Sequence, residues 1–348
     1  MSRFVQLHLL TFYAPSNLNR DDLNRPKTAH VGGALRLRVS SQSLKRAWRT
    51  SDVFRDRFAD SLGTRTKEMG NQVYSQLLAQ GVAGDKAQEW AVAIAGVFGK
   101  TKTEKPTEIE QLAHFTPQER AAIDALVARL AGGGGPPSAE DLQLLSRSDT
   151  AVDIAMFGRM LAANPGFNSD AAVQVAHAFT VNKATVEDDF FTAVDDLNKR
   201  EEDVGAGHMG EVEFGSGVFY LYICVDCDRL RENLAGRQDL VGPAMRALTA
   251  AAATVAPTGK QNSFASRANA LYLLAEKGDR QPRSLAAAFL KPVAGADQAG
   301  EAIGRLRACR ADMDRAYGAL ADDFREMSVP TREGTLAEVL DFVGEACS

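Results

Sequence analysis

The sequence predicts an α+β protein in which a split β-α-β sheet is interrupted by a long helical insertion and carries a β-hairpin arm. Three observations predict it. Apolar strand patterns occur over residues 4–12, 218–225 and 270–274. An Ala- and Leu-rich helical pattern fills much of residues 59–178. A Gly-rich polar segment over 195–217 separates Phe190-Phe191 from the second strand, as the far end of a long hairpin would.

Taken in order, residues 4–12 (FVQLHLLTF) place Val5, Leu7 and Leu9 on one face of a largely buried strand. A loop rich in Pro, Asn, Asp and Gly is expected over 15–33, and Ser40-Ser41 then supplies an N-cap for a helix running to about Phe58. The insertion over 59–178 is broken by a polar run at 100–107 and by the GGGGPP connector at 132–137. His177 reads as a helix residue. Residues 218–225 (VFYLYICV) are a strand. A helix over 240–255 ends at Pro257 and Gly259, a short strand follows at 270–274, and helices are expected around 300–327 and 336–346. With the insertion removed, the order strand, helix, hairpin, helix, strand suits a ferredoxin-like sheet, the layout of RNA-recognition domains.

A chain of 348 residues is long enough for about two domains. At 45% hydrophobic and 24% charged it is an ordinary folded chain, which excludes collagen, coiled coil and disordered tail. The most apolar stretch, 244–257, is broken by Arg246 and two threonines, too polar and too short to span a bilayer. With no signal peptide evident, a cytoplasmic protein without membrane partners is expected. Four cysteines suggest no disulfide framework, which fits a reducing compartment. The C-x-x-C at Cys224 and Cys227 lacks a second half-site for zinc, and buried strand residues are expected there.

The net charge of −5 hides a polarised distribution. Between Arg20 and Arg49, eight basic residues face only Asp21 and Asp22, so this segment carries +6 and the remainder −11. Such segregation focuses an anion on one surface. In the helix after Ser40, Gln42, Lys45, Arg46 and Arg49 fall on one face, and Leu44, Ala47 and Trp48 on the opposite one. One side packs and the other is cationic. Unpaired N–H groups at the helix start, the hydroxyls of Ser40, Ser41 and Ser43, and the approaching Arg36 and Arg38 together predict a phosphate-binding edge. A solvated face is the plainer alternative, weakened because no acidic residue is interleaved at i,i+4. Lys260-Gln261-Asn262 adds a cation and two amides in a second loop.

Asp21 and Asp22 suggest a second chemistry, a hard-metal site for phosphodiester hydrolysis, against pairing with Arg20 or Arg25. No phosphate-cradling Gly motif and no nucleophile motif is present, so neither cofactor nor metal is expected. The hairpin arm is acidic, so any contact it makes with nucleic acid must be apolar. Phe190, Phe191 and Met209 are the candidates, with packing onto the protein's own core as the alternative.

The stretch Pro15-Ser16-Asn17-Leu18-Asn19-Arg20-Asp21-Asp22, the pair Gly32-Gly33 and the run from Arg38 to Ala47 (RVSSQSLKRA) carry a specific resemblance. So do Asp153-Ile154-Ala155, Gly158-Arg159-Met160, Ala176-His177-Ala178, residues 191–197 (FTAVDDL) and Gly217-Val218-Phe219-Tyr220. Together these resemble the CasC-type backbone subunits (Cas family seven) of Cascade, the type I-E CRISPR surveillance complex. The resemblance covers most of the chain and is weakest in the insertion and the C-terminal third.

It implies a palm in two parts (1–58 and 179–348), helical fingers (59–178) and a thumb hairpin at about 188–217. It further implies a non-enzymatic subunit whose copies oligomerise along a CRISPR guide RNA and present it for pairing with the target DNA strand. Implied partners are further copies of itself and the large, small, CasD-type and guide-processing subunits. Implied guide contacts are Arg20, Lys27, Ser40, Gln42, Lys45, Arg46, Arg49, Lys260 and Gln261. Met160, Phe190, Phe191 and Met209 match the apolar contacts that displace a base at the thumb. Here Arg49 and Phe190 stand where the family pattern has Lys and Trp, which preserves charge and aromaticity. Since related backbone subunits of other CRISPR types cut RNA with an Asp, a metal-dependent RNA-cleaving subunit using Asp21 and Asp22 is the alternative.

Overall fold

A computed structural model describes residues 2–146, 151–193 and 208–347, apart from the side chains of residues 193, 208 and 209. Strand β1 (Phe4–Ser16) carries the first apolar run and continues beyond residue 12. Strands β2 (Thr28–Val31) and β3 (Ala34–Val39) pair as a hairpin, so part of the stretch read as loop is sheet. Its two-residue turn is Gly32-Gly33, both at positive φ (+59° and +75°), which glycine adopts without steric cost. Helices α1 (Ser41–Arg49) and α2 (Asp52–Phe58) replace the single helix expected there. The Thr50 hydroxyl donates to the Arg46 carbonyl, and the Ser51 N–H and hydroxyl both donate to that of Trp48, the acceptor a continuing helix would offer to Asp52.

The insertion contributes β4 (Thr64–Thr66), α3 (Met69–Ala79), α4 (Gly84–Phe98), β5 (Ala113–Phe115), α5 (Pro117–Ala131) and α6 (Val152–Phe157). Strands β6 (Val173–Val175), β7 (Ala178–Thr180), β8 (Glu187–Ala193) and β9 (His208–Asp226) follow. Then come α7 (Cys227–Asn233), α8 (Val241–Thr254), α9 (Gln261–Phe264), β10 (Ala270–Gly278), α10 (Gln298–Tyr317), β11 (Asp323–Ser328) and α11 (Leu336–Cys347). The helix expected over 300–327 is therefore cut short. Gly318, at φ +80°, ends α10, and the following residues pair as an edge strand from Tyr272↔Ser328 to Lys277↔Asp323.

The chain divides into two compact units. The first combines Met1–Val53, Val175–Cys224 and Met245–Ala346. Its sheet runs β11-β10-β1-β9-β7-β3-β2, antiparallel at the pairs β10–β11, β1–β10, β7–β9, β3–β7 and β2–β3. Leu10, Tyr220, Tyr272, Leu274, Phe289, Ile303 and Leu306 lie in its core. Gln6 and His8, on the polar face of β1, are buried too, beside a fully buried Glu276. Burial alone would raise the Glu276 pKa, but the His8 imidazole, with Nε2 3.3 Å from the carboxylate, and hydrogen bonds from Arg283 hold it well below the usual carboxylate range. Arg310 Nε adds a third donor at 2.7 Å. The β1–β10 register therefore gathers Glu276, His8, Arg283 and Arg310 into a paired charge cluster in the core, in which His8 Nε2 and Arg283 Nε lack a hydrogen-bond partner of good geometry.

The second unit, Phe54–Gln174 with Val225–Ala244 and Cys347–Ser348, packs α3, α4 and α5 around Val73, Leu77, Ile94, Phe98, Phe115 and Ile123. Cys227 and Cys347 in this unit are disulfide-bonded across a Cα–Cα distance of 5.2 Å. This corrects the expectation of unbridged cysteines: the partners lie 120 residues apart, a separation no local spacing reveals. Cys224 is buried in β9 as expected. Among the described residues no helix is long and apolar enough to cross a membrane.

Candidate nucleic-acid interface

Helix α1 forms because Ser40 caps it with extended backbone, and because Leu44, Ala47 and Trp48 recur at core spacing and are buried. Gln42 and Arg46 on the opposite face are exposed, with Lys45 and Arg49 half-buried beside them. No acidic side chain occupies its first turn, and Arg46 and Arg49 occupy its last, where they also complement the helix dipole. The amphipathic reading of this helix is met.

Its N-terminus is less open than the sequence implies. The Ser40 N–H donates to Asn19 Oδ1 (2.8 Å), Ser41 N–H to His177 Nδ1 (3.1 Å) and Ser43 N–H to Ser40 Oγ (3.4 Å). Most of the donors this edge offers are therefore side chains. His177 sits between β6 and β7 and not on a helix, as the sequence had suggested. Arg38 Nη1 lies 3.2 Å from the same imidazole nitrogen. The His177 pKa is lowered by partial desolvation of the ring and then by the charges of Arg38 and Lys27.

The loop before β2 is closed on itself. Asp21 Oδ1 accepts the N–H groups of Leu23 and Arg25, both at 2.9 Å, and Lys27 N–H donates to the Asn19 carbonyl at 2.8 Å. Lys27 is in turn hydrogen-bonded through its carbonyl to Arg38 N–H (2.7 Å). Buried Asn17 donates to the carbonyls of Asn24 (3.0 Å) and Glu213 (2.9 Å). Arg25 pairs with Glu213 at 3.0 Å, while Arg20 stays exposed and reaches only Asn24 Oδ1 at 3.4 Å. Asp21 thus shapes the loop, and Asp22 is exposed; no group of three potential metal-ligating side chains gathers among the described residues.

The second loop reaches the same place. A Cβ on Gly259 would fall 2.2 Å from the Leu18 carbonyl oxygen, so only glycine permits the backbones to approach this closely. Lys260, left-handed at φ +51°, follows directly. Gln261 turns inward, donating to the carbonyls of Pro257 (3.0 Å) and Ser266 (3.2 Å), and braces the loop. Arg267, exposed beyond it, was not singled out from sequence because no cationic run surrounds it.

Arg36 corrects the sequence reading. It is fully buried and donates to the carbonyls of Thr180, Val181 and Phe289 at 2.9, 2.6 and 2.9 Å. It stitches β3 to β7 and to the segment before α10, and contributes nothing to the surface edge.

The arm is an antiparallel ladder from Glu187↔Phe214 to Ala193↔His208. Phe190 and Phe191 alternate to opposite faces. Phe190, opposite Glu211, is 61% exposed. Phe191 lies over Gly210, where a Cβ would come within 2.6 Å of its Cζ. Met209 pairs with Thr192 in the ladder, its side chain outside the described residues, as are the acidic residues expected at 195–203. Met160 belongs to the second unit, 71% exposed beside Leu112 at a groove of about 290 Å³.

A family model described as "CT1975-like protein" matches residues 5–342. Among solved structures, a chain of a "CRISPR RNA-guided surveillance complex, pre-nicking" is 31% identical, with a TM-score of 0.86 over 99% of this chain and 100% of that one. A chain of a "CRISPR RNA-guided surveillance complex" is 24% identical, with a TM-score of 0.73 over 99% of each, a likeness of fold alone. No match is found among curated proteins.

Proposed function

The chain belongs to the CT1975-like protein family, and from that premise we propose that it is a structural, guide-RNA-binding backbone subunit of a CRISPR surveillance complex. The observation that carries this reading is the cationic face of α1 set beside Lys27, Arg38 and the Lys260 loop in one compact unit. Clustered Lys and Arg without base-specific groups suit the sugar–phosphate strand of any guide sequence, leaving sequence recognition to base pairing. The surveillance-complex chain at 31% identity, aligned along essentially its whole length, supports the same assignment.

Within it, we place the guide on Arg20, Lys27, Ser40, Gln42, Lys45, Arg46, Arg49 and Lys260, with Gln261 holding the second loop in shape. Copies polymerise along the guide in the cytoplasm, and the motifs favour a type I-E assembly with palm, fingers and thumb. Phe190 is the arm's stacking group, joined by Phe191, Met209 and Met160 of neighbouring copies. The guide so held pairs with the target DNA strand, and the other Cascade subunits complete the complex.

The subunit does no chemistry of its own. Asp21 spends its carboxylate on the loop backbone, which favours a scaffold over a metal-dependent nuclease. Two experiments test this. Reversing two charges, Lys45→Glu with Arg49→Glu, abolishes guide loading in a filter-binding assay; unchanged loading overturns the reading. Incubating the assembled complex with labelled RNA and magnesium yields no product; product that disappears in Asp21→Ala establishes the nuclease instead.

A further inference from the structure

We propose that His177 is an additional guide-binding residue, donating its Nε2–H to a phosphate oxygen of the RNA strand held by Lys27, Arg38 and α1. The inference rests on the guide-binding reading above and adds a neutral hydrogen-bond donor to a site otherwise described by its cations.

The argument is one of tautomer. The Ser41 main-chain N–H donates to Nδ1 at 3.1 Å, and a backbone amide cannot act as acceptor through its N–H. Nδ1 therefore carries a lone pair, and Arg38 Nη1, 3.2 Å away, is a second donor aimed at it. A neutral imidazole with Nδ1 bare must hold its proton on Nε2. Among the described residues none accepts from Nε2, and the side chain is exposed. The lowered pKa agrees with a neutral ring, since partial desolvation and then the charges of Arg38 and Lys27 oppose a third positive charge.

An N–H donor fixed from behind, on an exposed ring in the field of two cations, fits an anionic oxygen. A rigid donor costs little ordering entropy on binding, because the contact to Ser41 has already fixed the ring. Local pattern does not reveal this contact, since Ser41 and Arg38 lie 136 and 139 residues from His177 along the chain.

His177→Asn separates the two nitrogens: the amide oxygen reproduces the acceptor for Ser41 and Arg38, but nothing replaces Nε2–H. Binding of a short single-stranded RNA is measured for the wild type, for His177→Asn and for Lys45→Glu with Arg49→Glu. The expected result is an unchanged melting temperature and a 3- to 10-fold weaker affinity for His177→Asn, with binding abolished by the double reversal. Wild-type affinity in His177→Asn, with binding still lost in the double variant, overturns the role of His177 and leaves the guide-binding reading standing. Undiminished binding in the double variant overturns both. Should His177→Asn lower the melting temperature, nitrogen NMR of the histidine-labelled wild type decides. A protonated Nε2 whose resonance moves on RNA addition supports the proposal; a protonated Nδ1, or an Nε2 signal indifferent to RNA, refutes it.

Discussion

The α1 edge and the β8–β9 ladder belong to the same compact unit, yet each is held by different means. At the edge, cations are set on a scaffold of neutral groups: Asn17, Asn19 and His177 take the loop carbonyls and helix N–H groups, while Lys45, Arg46 and Arg49 project from α1. In the ladder the backbone pairing does the holding, and the exposed side chains alternate between Phe191, which rests over Gly210, and the more exposed Phe190. The comparison teaches that positive charge alone does not mark a binding surface. Arg36 carries the same guanidinium as Arg46, but it spends its donors on buried carbonyls and serves the fold.

The largest effect expected is on the edge. Lys45→Glu with Arg49→Glu lowers guide affinity by about 100-fold or more, and the slope of log affinity against log salt shrinks as phosphate contacts vanish. An undiminished salt slope would break the contrast between edge and ladder. Next comes Arg36→Met, which removes a buried donor from the carbonyls of Thr180, Val181 and Phe289, of which Val181 keeps the Val293 N–H, and costs about 3 kcal/mol of stability in chemical denaturation. Its folded fraction binds guide as the wild type does. A lowered affinity with intact stability would return Arg36 to the surface edge.

Gly259→Ala sharpens the edge further. The added methyl meets the Leu18 carbonyl oxygen, pushes the Lys260 loop away and weakens guide binding by about 10-fold, read by the same titration. The smallest effect falls on the ladder. Phe190→Ala leaves the melting temperature unchanged and weakens guide binding by about 1 kcal/mol, the low end for a stacked base. A clear fall in melting temperature instead would show Phe190 packing on protein like Phe191.

Much of this was legible in sequence where the information is local. The i, i+3, i+4, i+7 spacing of α1 announced both its buried and its cationic face, and the Gly-rich polar segment between Phe190-Phe191 and the next apolar run announced a hairpin. The Gly32-Gly33 turn is equally local, a two-glycine signal for the β2–β3 hairpin within the stretch whose composition suggests a loop. So was Gly318, whose position marks where α10 gives way to an edge strand. What stayed hidden depends on distant cover. Arg36 and Arg38 share one face of β3, and the carbonyls of Thr180, Val181 and Phe289, 144, 145 and 253 residues on, cover the first and not the second. His177 and the Cys227–Cys347 bridge were hidden for the same reason.

The central claim, that the edge around α1 grips the guide, is tested most directly by photo-crosslinking a thiouridine-substituted guide to the assembled protein and mapping the attached peptides. The account predicts attachment within residues 17–49, at His177 and at the Lys260 loop, and its loss when Lys45 and Arg49 are reversed. Crosslinks that avoid these segments and survive the reversal would contradict it.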